Sequence, residues 1–203
     1  MMNSNDILAR RAAALIRDGR ATTVFEAIKQ AQASPEVPAD ATVAPAQVRR
    51  HLEAMNMARE GWVGWQEQKQ ARLEEVEQFL ALLEHLFDRL EVRIAGRAAR
   101  GEVDPGDNVH VRLWVDRDSA EVMEAMEVVG VPEHGSRSVR AEVACGVTRL
   151  TTLSYPGDTI QIVVTLCPQR EIASSPRNLT TGRPLSTVSP SEFRRLLGGL
   201  QGD

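Results

Sequence analysis

Leu90–Asp116, LEVRIAGRAARGEVDPGDNVHVRLWVD, reads as two strands joined by a glycine-marked loop. Val92 and Ile94 mark the first strand, Gly96 its turn, and a polar loop follows to Asp107. From Asn108 to Val115 the residues alternate. Val109, Val111, Leu113 and Val115 point one way, while Asn108, His110, Arg112 and Trp114 point the other. One face of this strand is built for a core; the other carries polar groups on rigid backbone, where sites are commonly placed.

The run Gly96-Arg-Ala-Ala-Arg-Gly-Glu-Val-Asp-Pro-Gly-Asp-Asn-Val-His-Val-Arg-Leu113 resembles the signature of the minimal nucleotidyltransferases, the polymerase-β-like superfamily. That signature is Gly-Ser, an Arg/Gly-rich turn, then Asp-x-Asp opening a strand. Gly96, Arg100, Gly101, Glu102 and Pro105 fall on family-typical residues, and the likeness covers Leu90 to Pro168. Arg97 stands where the family has Ser, Asn108 where it has the first Asp, and His110 where it has the second. Gln161 occupies the place of a third family carboxylate on a later strand. The resemblance therefore implies a degenerate member, of a type similar to bacterial proteins in which paired helices precede the domain.

The exchanges at Asn108, His110 and Gln161 bear on the chemistry. Nucleotidyl transfer uses divalent cations to bridge the triphosphate, and Mg²⁺ takes hard carboxylate oxygens rather than an amide and an imidazole. Asp107 lies one residue off, towards the opposite face. The expectation is that the chain needs no metal or other cofactor.

A composition 42% apolar and 26% charged is that of a globular protein, and the net charge of −4 gives no electrostatic case for nucleic acid. No run approaches the ~18 apolar residues of a membrane span. The start, MMNSNDILARR, lacks the apolar core of a secretory signal. Cys145 and Cys167 have no metal-site spacing. The expected location is the cytoplasm.

Towards the amino terminus the pattern predicts two short helices within residues 5–33. Asn5 or Asp6 caps the first, and Thr23 with Glu26 makes a capping box for the second. Paired helices can read DNA; the simpler reading is a helical hairpin packed on its own domain. Three prolines mark a linker at 34–45, after which a helix starts near Pro45. From Trp62 to Leu90 the residues Leu73, Val76, Leu80, Leu83, Phe87 and Leu90 form a heptad seam, with Phe79, Leu82 and Leu86 on an adjoining stripe. Trp62 and Trp65 are expected to pack against protein.

Beyond the opening stretch, Ser119 is expected to cap a helix burying Val122, Met126 and Val129, with Asp116 and Asp118 at its entry. Strands are predicted at Val139–Cys145, Val147–Ser154 and Thr159–Leu166. In the locally basic tail, Ser189-Pro-Ser-Glu192 is a capping box for a helix burying Phe193, Leu196 and Leu197. The fold class is α+β, with helices packed on a mixed or antiparallel sheet, nucleotidyltransferase-like. The divisions are a helical region at 1–61, an α+β domain at 62–168 and a tail at 169–203.

Three functions follow. The first is a non-catalytic nucleotidyltransferase-like domain whose cleft, at Gly96, Arg97, Asn108, His110, Arg112 and Gln161, binds a nucleotide or another phosphorylated small molecule. Guanidinium groups hold phosphate without metal, and backbone N–H groups near Gly96 would assist. The second is an interaction protein that forms a homodimer or holds a partner along the heptad helix. The third is an active transferase with remodelled metal ligands.

Overall fold

A computed structural model describes residues 3–131, 133–143 and 146–200. The chain divides into two compact units. One comprises the residues up to Ala71 together with Asp104–Asn108, the other Arg72–Val103 together with the chain from Val109 on. The division falls at Ala71 rather than at residue 61, and the tail belongs to the second unit.

In the first unit, α1 (Ser4–Arg17) and α2 (Val24–Gln32) form the expected pair. Asn3, not Asn5 or Asp6, caps α1, because its side chain is the one that reaches a free N–H, that of Asn5, at 3.2 Å. Thr23 caps α2 as predicted, accepting from Glu26 N at 3.1 Å. The Glu26 carboxylate turns one residue further back, to the Thr22 amide and hydroxyl. Those bonds hold it below the usual carboxylate range. Leu8, Ala12, Leu15, Ile16, Val24 and Ala27 close on Val48 and Leu52 of α3 (Pro45–Leu86) in one core. His51 is satisfied by Asp6 at 2.8 Å.

The helix α3 is one element bent at Gly61, whose φ of 72° and ψ of 174° suit essentially only glycine. Gly64 does not interrupt it. Trp65 is fully buried, but Trp62, beside the bend, is 61% exposed. The expectation that both tryptophans pack against protein holds for Trp65 and not for Trp62.

The second unit is an α+β assembly around a six-stranded mixed sheet of order β3-β4-β5-β2-β1-β6. Its strands are β1 (Leu90–Ala95), β2 (Asn108–Val115), β3 (Gly135–Val143), β4 (Gly146–Pro156), β5 (Gln161–Leu166) and β6 (Thr187–Val188). The pairs β1–β2, β1–β6, β3–β4 and β4–β5 are antiparallel. The remaining junction, β5 with β2, is the parallel one that makes the sheet mixed. The expected end of a strand at Cys145 lies outside the described residues.

Helices α3, α4 (Ser119–Val128) and α6 (Pro190–Leu200) cover one face. Both stripes of α3 enter that core: Leu73, Val76, Leu80, Leu83 and Phe87 are buried with Phe79, and Leu82 and Leu86 pack against them. The heptad seam is thus internal, and the helix stops at Leu86, short of Leu90. Asp118, not Ser119, caps α4, accepting from Ala120 N and Glu121 N with a full capping box. The carboxylate of the earlier residue reaches both amides, which leaves Ser119 as the first helical position. Val129 is exposed, since α4 has ended before it.

The tail capping box forms as read: Ser189 N donates to Glu192 at 2.7 Å, and Glu192 N to Ser189 Oγ at 3.3 Å. Phe193 and Leu197 enter the core, whereas Leu196 is 38% exposed. Arg194 fixes α6 to α3 through Glu77 and Glu84, each at 2.5 Å. Among the described residues no helix is long and apolar enough to cross a membrane.

Candidate functional site

Alternation along β2 places Val109, Val111 and Leu113 in the core, with His110, Arg112 and Trp114 on the other face. That second face is not open. A smaller apolar cluster of Ala141, Leu150, Cys167, Ile172 and Ala173, joined by Trp114 and Leu179, lies on it. The short helix α5 (Arg170–Ala173) and the segment after it supply the cover. Arg170 of α5 stacks over the Trp114 ring at 4.2 Å.

Residues 174–188 cross the face as a strap, pinned at both ends. At the near end the Arg112 guanidinium donates from both terminal nitrogens, to Ser175 O and Arg177 O. At the far end Gly96 N donates to Ser186 O at 2.9 Å, and β6 pairs with β1 through Ala95–Thr187 and Ile94–Val188. Between them Arg177 bridges to Pro184 and closes a small hairpin. Asn178 shapes its tip, its Oδ1 accepting from Thr180 N and Thr181 N at 2.9 Å each.

Strap and sheet enclose a cleft of about 180 Å³. Gly96, His110, Arg112, Thr152, Thr165 and Thr180 give it polar lining, and Val139, Ala141 and Leu150 an apolar wall. Thr152 and Thr165 are register partners on β4 and β5, and the Thr152 hydroxyl donates to Arg137 O at 3.2 Å.

Arg112 is the charge of this site. It is only 4% exposed, and burial lowers its pKa from the ordinary arginine value. Among the described residues no carboxylate pairs with it. The nearby Cys167 thiol is itself pushed up to about 12 by burial, partly countered by the Arg112 charge, and stays neutral. Two carbonyls receive the guanidinium, but they carry partial charge only. A buried cation without a full counter-charge is costly, and an anion in the cleft would offset that cost.

Three of the six sequence candidates, Gly96, His110 and Arg112, line the cleft. Arg97 precedes a 3₁₀ turn at Ala98–Arg100 and pairs with Glu102 at 3.2 Å. Asn108 opens β2 half-buried, its Oδ1 without a hydrogen-bond partner among the described residues. Gln161 opens β5 opposite Pro156. None of these three lines it. The expected help from the Gly96 amide is corrected: that N–H is spent on Ser186 O, and the turn is too short to act as a helix N-terminus.

Alternation could have found Thr152 and Thr165. Nothing local to residues 174–186 announces that they cross the sheet. The nearby acids have other work: Asp107 accepts from Arg49 Nε at 2.6 Å, and Asp118 caps α4. Among the described residues no three His, Cys, Asp or Glu side chains group as metal ligands.

Burial also pushes the Tyr155 phenol up to about 12, with the Glu133 charge adding to it. Tyr155 and Cys167 keep their protons in the folded chain to about pH 12, while the unfolded chain loses them from about pH 8.5 to 10. The unfolded state then binds fewer protons, so stability falls as pH rises through that window. Urea midpoints should drop between pH 7.5 and 10, and Tyr155→Phe should flatten the slope. An unchanged slope in that variant would contradict the phenol's part.

No family model matches the chain, and no curated protein matches it in sequence.

Proposed function

We propose that the second unit is a nucleotidyltransferase-like domain that no longer transfers nucleotides, and that its cleft holds the phosphoryl group of a small phosphorylated ligand without a metal ion. The observation that carries this reading is Arg112, buried at the cleft with no acid against it among the described residues. Its remaining N–H groups are the donors for phosphate oxygens, and the Thr165 hydroxyl also belongs to the cleft lining. The Gly96–Leu113 resemblance supports the same reading.

Volume narrows the ligand. Drug-sized ligands occupy roughly 300–1,000 Å³, and this cleft offers about 180 Å³. A phosphate or a short phosphorylated molecule fits; of a nucleotide only the phosphates would enter. We place the protein in the cytoplasm, in line with the free, buried Cys167 thiol.

Titration calorimetry with inorganic phosphate, pyrophosphate, AMP and ATP tests this, each in EDTA and in Mg²⁺. The expected result is saturable binding of phosphate or pyrophosphate that EDTA leaves unchanged, with no gain from the nucleoside. Radiolabelled nucleoside triphosphates should transfer no label to the protein. Absence of binding by all four ligands, or binding that requires Mg²⁺, would refute the proposal.

A further inference from the structure

The cleft beneath the strap is charged at one end and hydrocarbon at the other, and the register of the sheet sets the direction. Across the parallel junction Cys167 N donates to Leu113 O at 2.7 Å, which sets Thr165 of β5 beside Arg112 of β2. Thr152 of β4 lies opposite Thr165. Leu150, two residues from Thr152 on the same face, stands opposite Val139 of β3. Leu150 is therefore two strands from Arg112, about 10 Å at the usual strand spacing, and Val139 one strand further. Leu179 of the strap packs against the cluster that holds Ala141 and Leu150, and all three line the cleft with Val139.

Several polar groups of the lining are already engaged. Thr152 gives its one hydroxyl proton to Arg137 O at 3.2 Å and accepts from Arg137 Nε at 3.3 Å. Asn178 Oδ1 takes two amides of the strap, and the Gly96 N–H goes to Ser186 O. Ligand hydroxyls beyond the charged end would thus lie against Val139, Ala141, Leu150 and Leu179 without partners. An unpaired polar group taken out of water costs binding. Carbon in the same place gains by leaving water.

We propose that the ligand is a short alkyl phosphomonoester, its phosphoryl group at Arg112 and Thr165 and its carbon chain over Leu150 towards Val139. This rests on the reading of Arg112 as a metal-free phosphoryl site and goes beyond it in setting sugar and polyol phosphates aside. With about 180 Å³, the cleft has room for a phosphoryl group and a few carbons.

Calorimetry of the full chain in EDTA tests this with inorganic phosphate and the methyl, ethyl, propyl, butyl and pentyl phosphates. Glycerol 3-phosphate is the match to propyl phosphate, with the same three carbons and two added hydroxyls. Affinity should rise about two- to fourfold with each carbon, and propyl phosphate should bind about tenfold or more tighter than glycerol 3-phosphate. Val139→Thr keeps shape and strand preference at a half-buried position. It should weaken pentyl phosphate about threefold or more and leave inorganic phosphate unchanged. A flat alkyl series, or equal affinity for propyl and glycerol 3-phosphates, would overturn the alkyl class and leave the phosphoryl site standing. Absence of binding by every compound would remove both. Equal weakening of inorganic and pentyl phosphates by Val139→Thr would show that the chain does not run towards Val139, and equally overturn it.

Discussion

Arg112→Met is expected to abolish phosphate binding and to loosen the strap together. The substitution removes the cleft's buried cation and leaves Ser175 O and Arg177 O without their donors. Hydrogen bonds to a charged group contribute about 1.5–3 kcal/mol each, and removal of an under-compensated buried charge gives part of that back. A net loss of about 2 kcal/mol follows, or a Tm lower by about 4–8 °C in a chain of this size. Hydrogen exchange should accelerate in residues 174–186 and not in the core strands.

Arg112→Lys separates the two roles. A lysine keeps the charge but lacks the planar fork that reaches two carbonyls. It should retain part of the phosphate affinity while the strap exchanges as fast as in the methionine variant. Undiminished phosphate binding by Arg112→Met would remove the cleft from consideration. Unaltered exchange in 174–186 would show that the guanidinium does not pin the strap.

Phe193→Ala should be among the most damaging single changes in α6. Phe193 is 0% exposed and sits in the core shared by α3, α4 and the sheet. Truncating a buried phenylalanine costs about 3–5 kcal/mol, from lost transfer energy and the cavity left behind. Leu196→Ala, at a position 38% exposed, should cost under about 1 kcal/mol. Urea denaturation followed by circular dichroism gives both values on one scale. Equal losses would mean that α6 does not present Phe193 to the sheet in the orientation described.

The contrast between these neighbours shows where sequence reading stops. Phe193, Leu196 and Leu197 all belong to one apolar pattern, so all three read as buried. A helix of eleven residues can turn only part of its surface to a core. The sheet beneath it, not the spacing, selects Phe193 and Leu197. The long seam of α3 poses the same question. Its heptad spacing fits a partner helix as well as a sheet, and only the packed structure shows both stripes inside.

What the chain determines by itself is local. Alternation fixes which side of β2 each residue takes, and side-chain oxygens near free amides fix the caps at Thr23 and Ser189. The α+β class follows from the order of such elements. Whether the polar side of β2 meets water was not local information. The groups that cover Arg112 lie 63 and 65 residues further along, and their arrival depends on the closure of a long loop and on apolar surface from Ile172, Ala173 and Leu179. Periodicity can say which way a side chain points; only tertiary packing decides what it meets there, because burial belongs to surfaces brought together from distant parts of the chain.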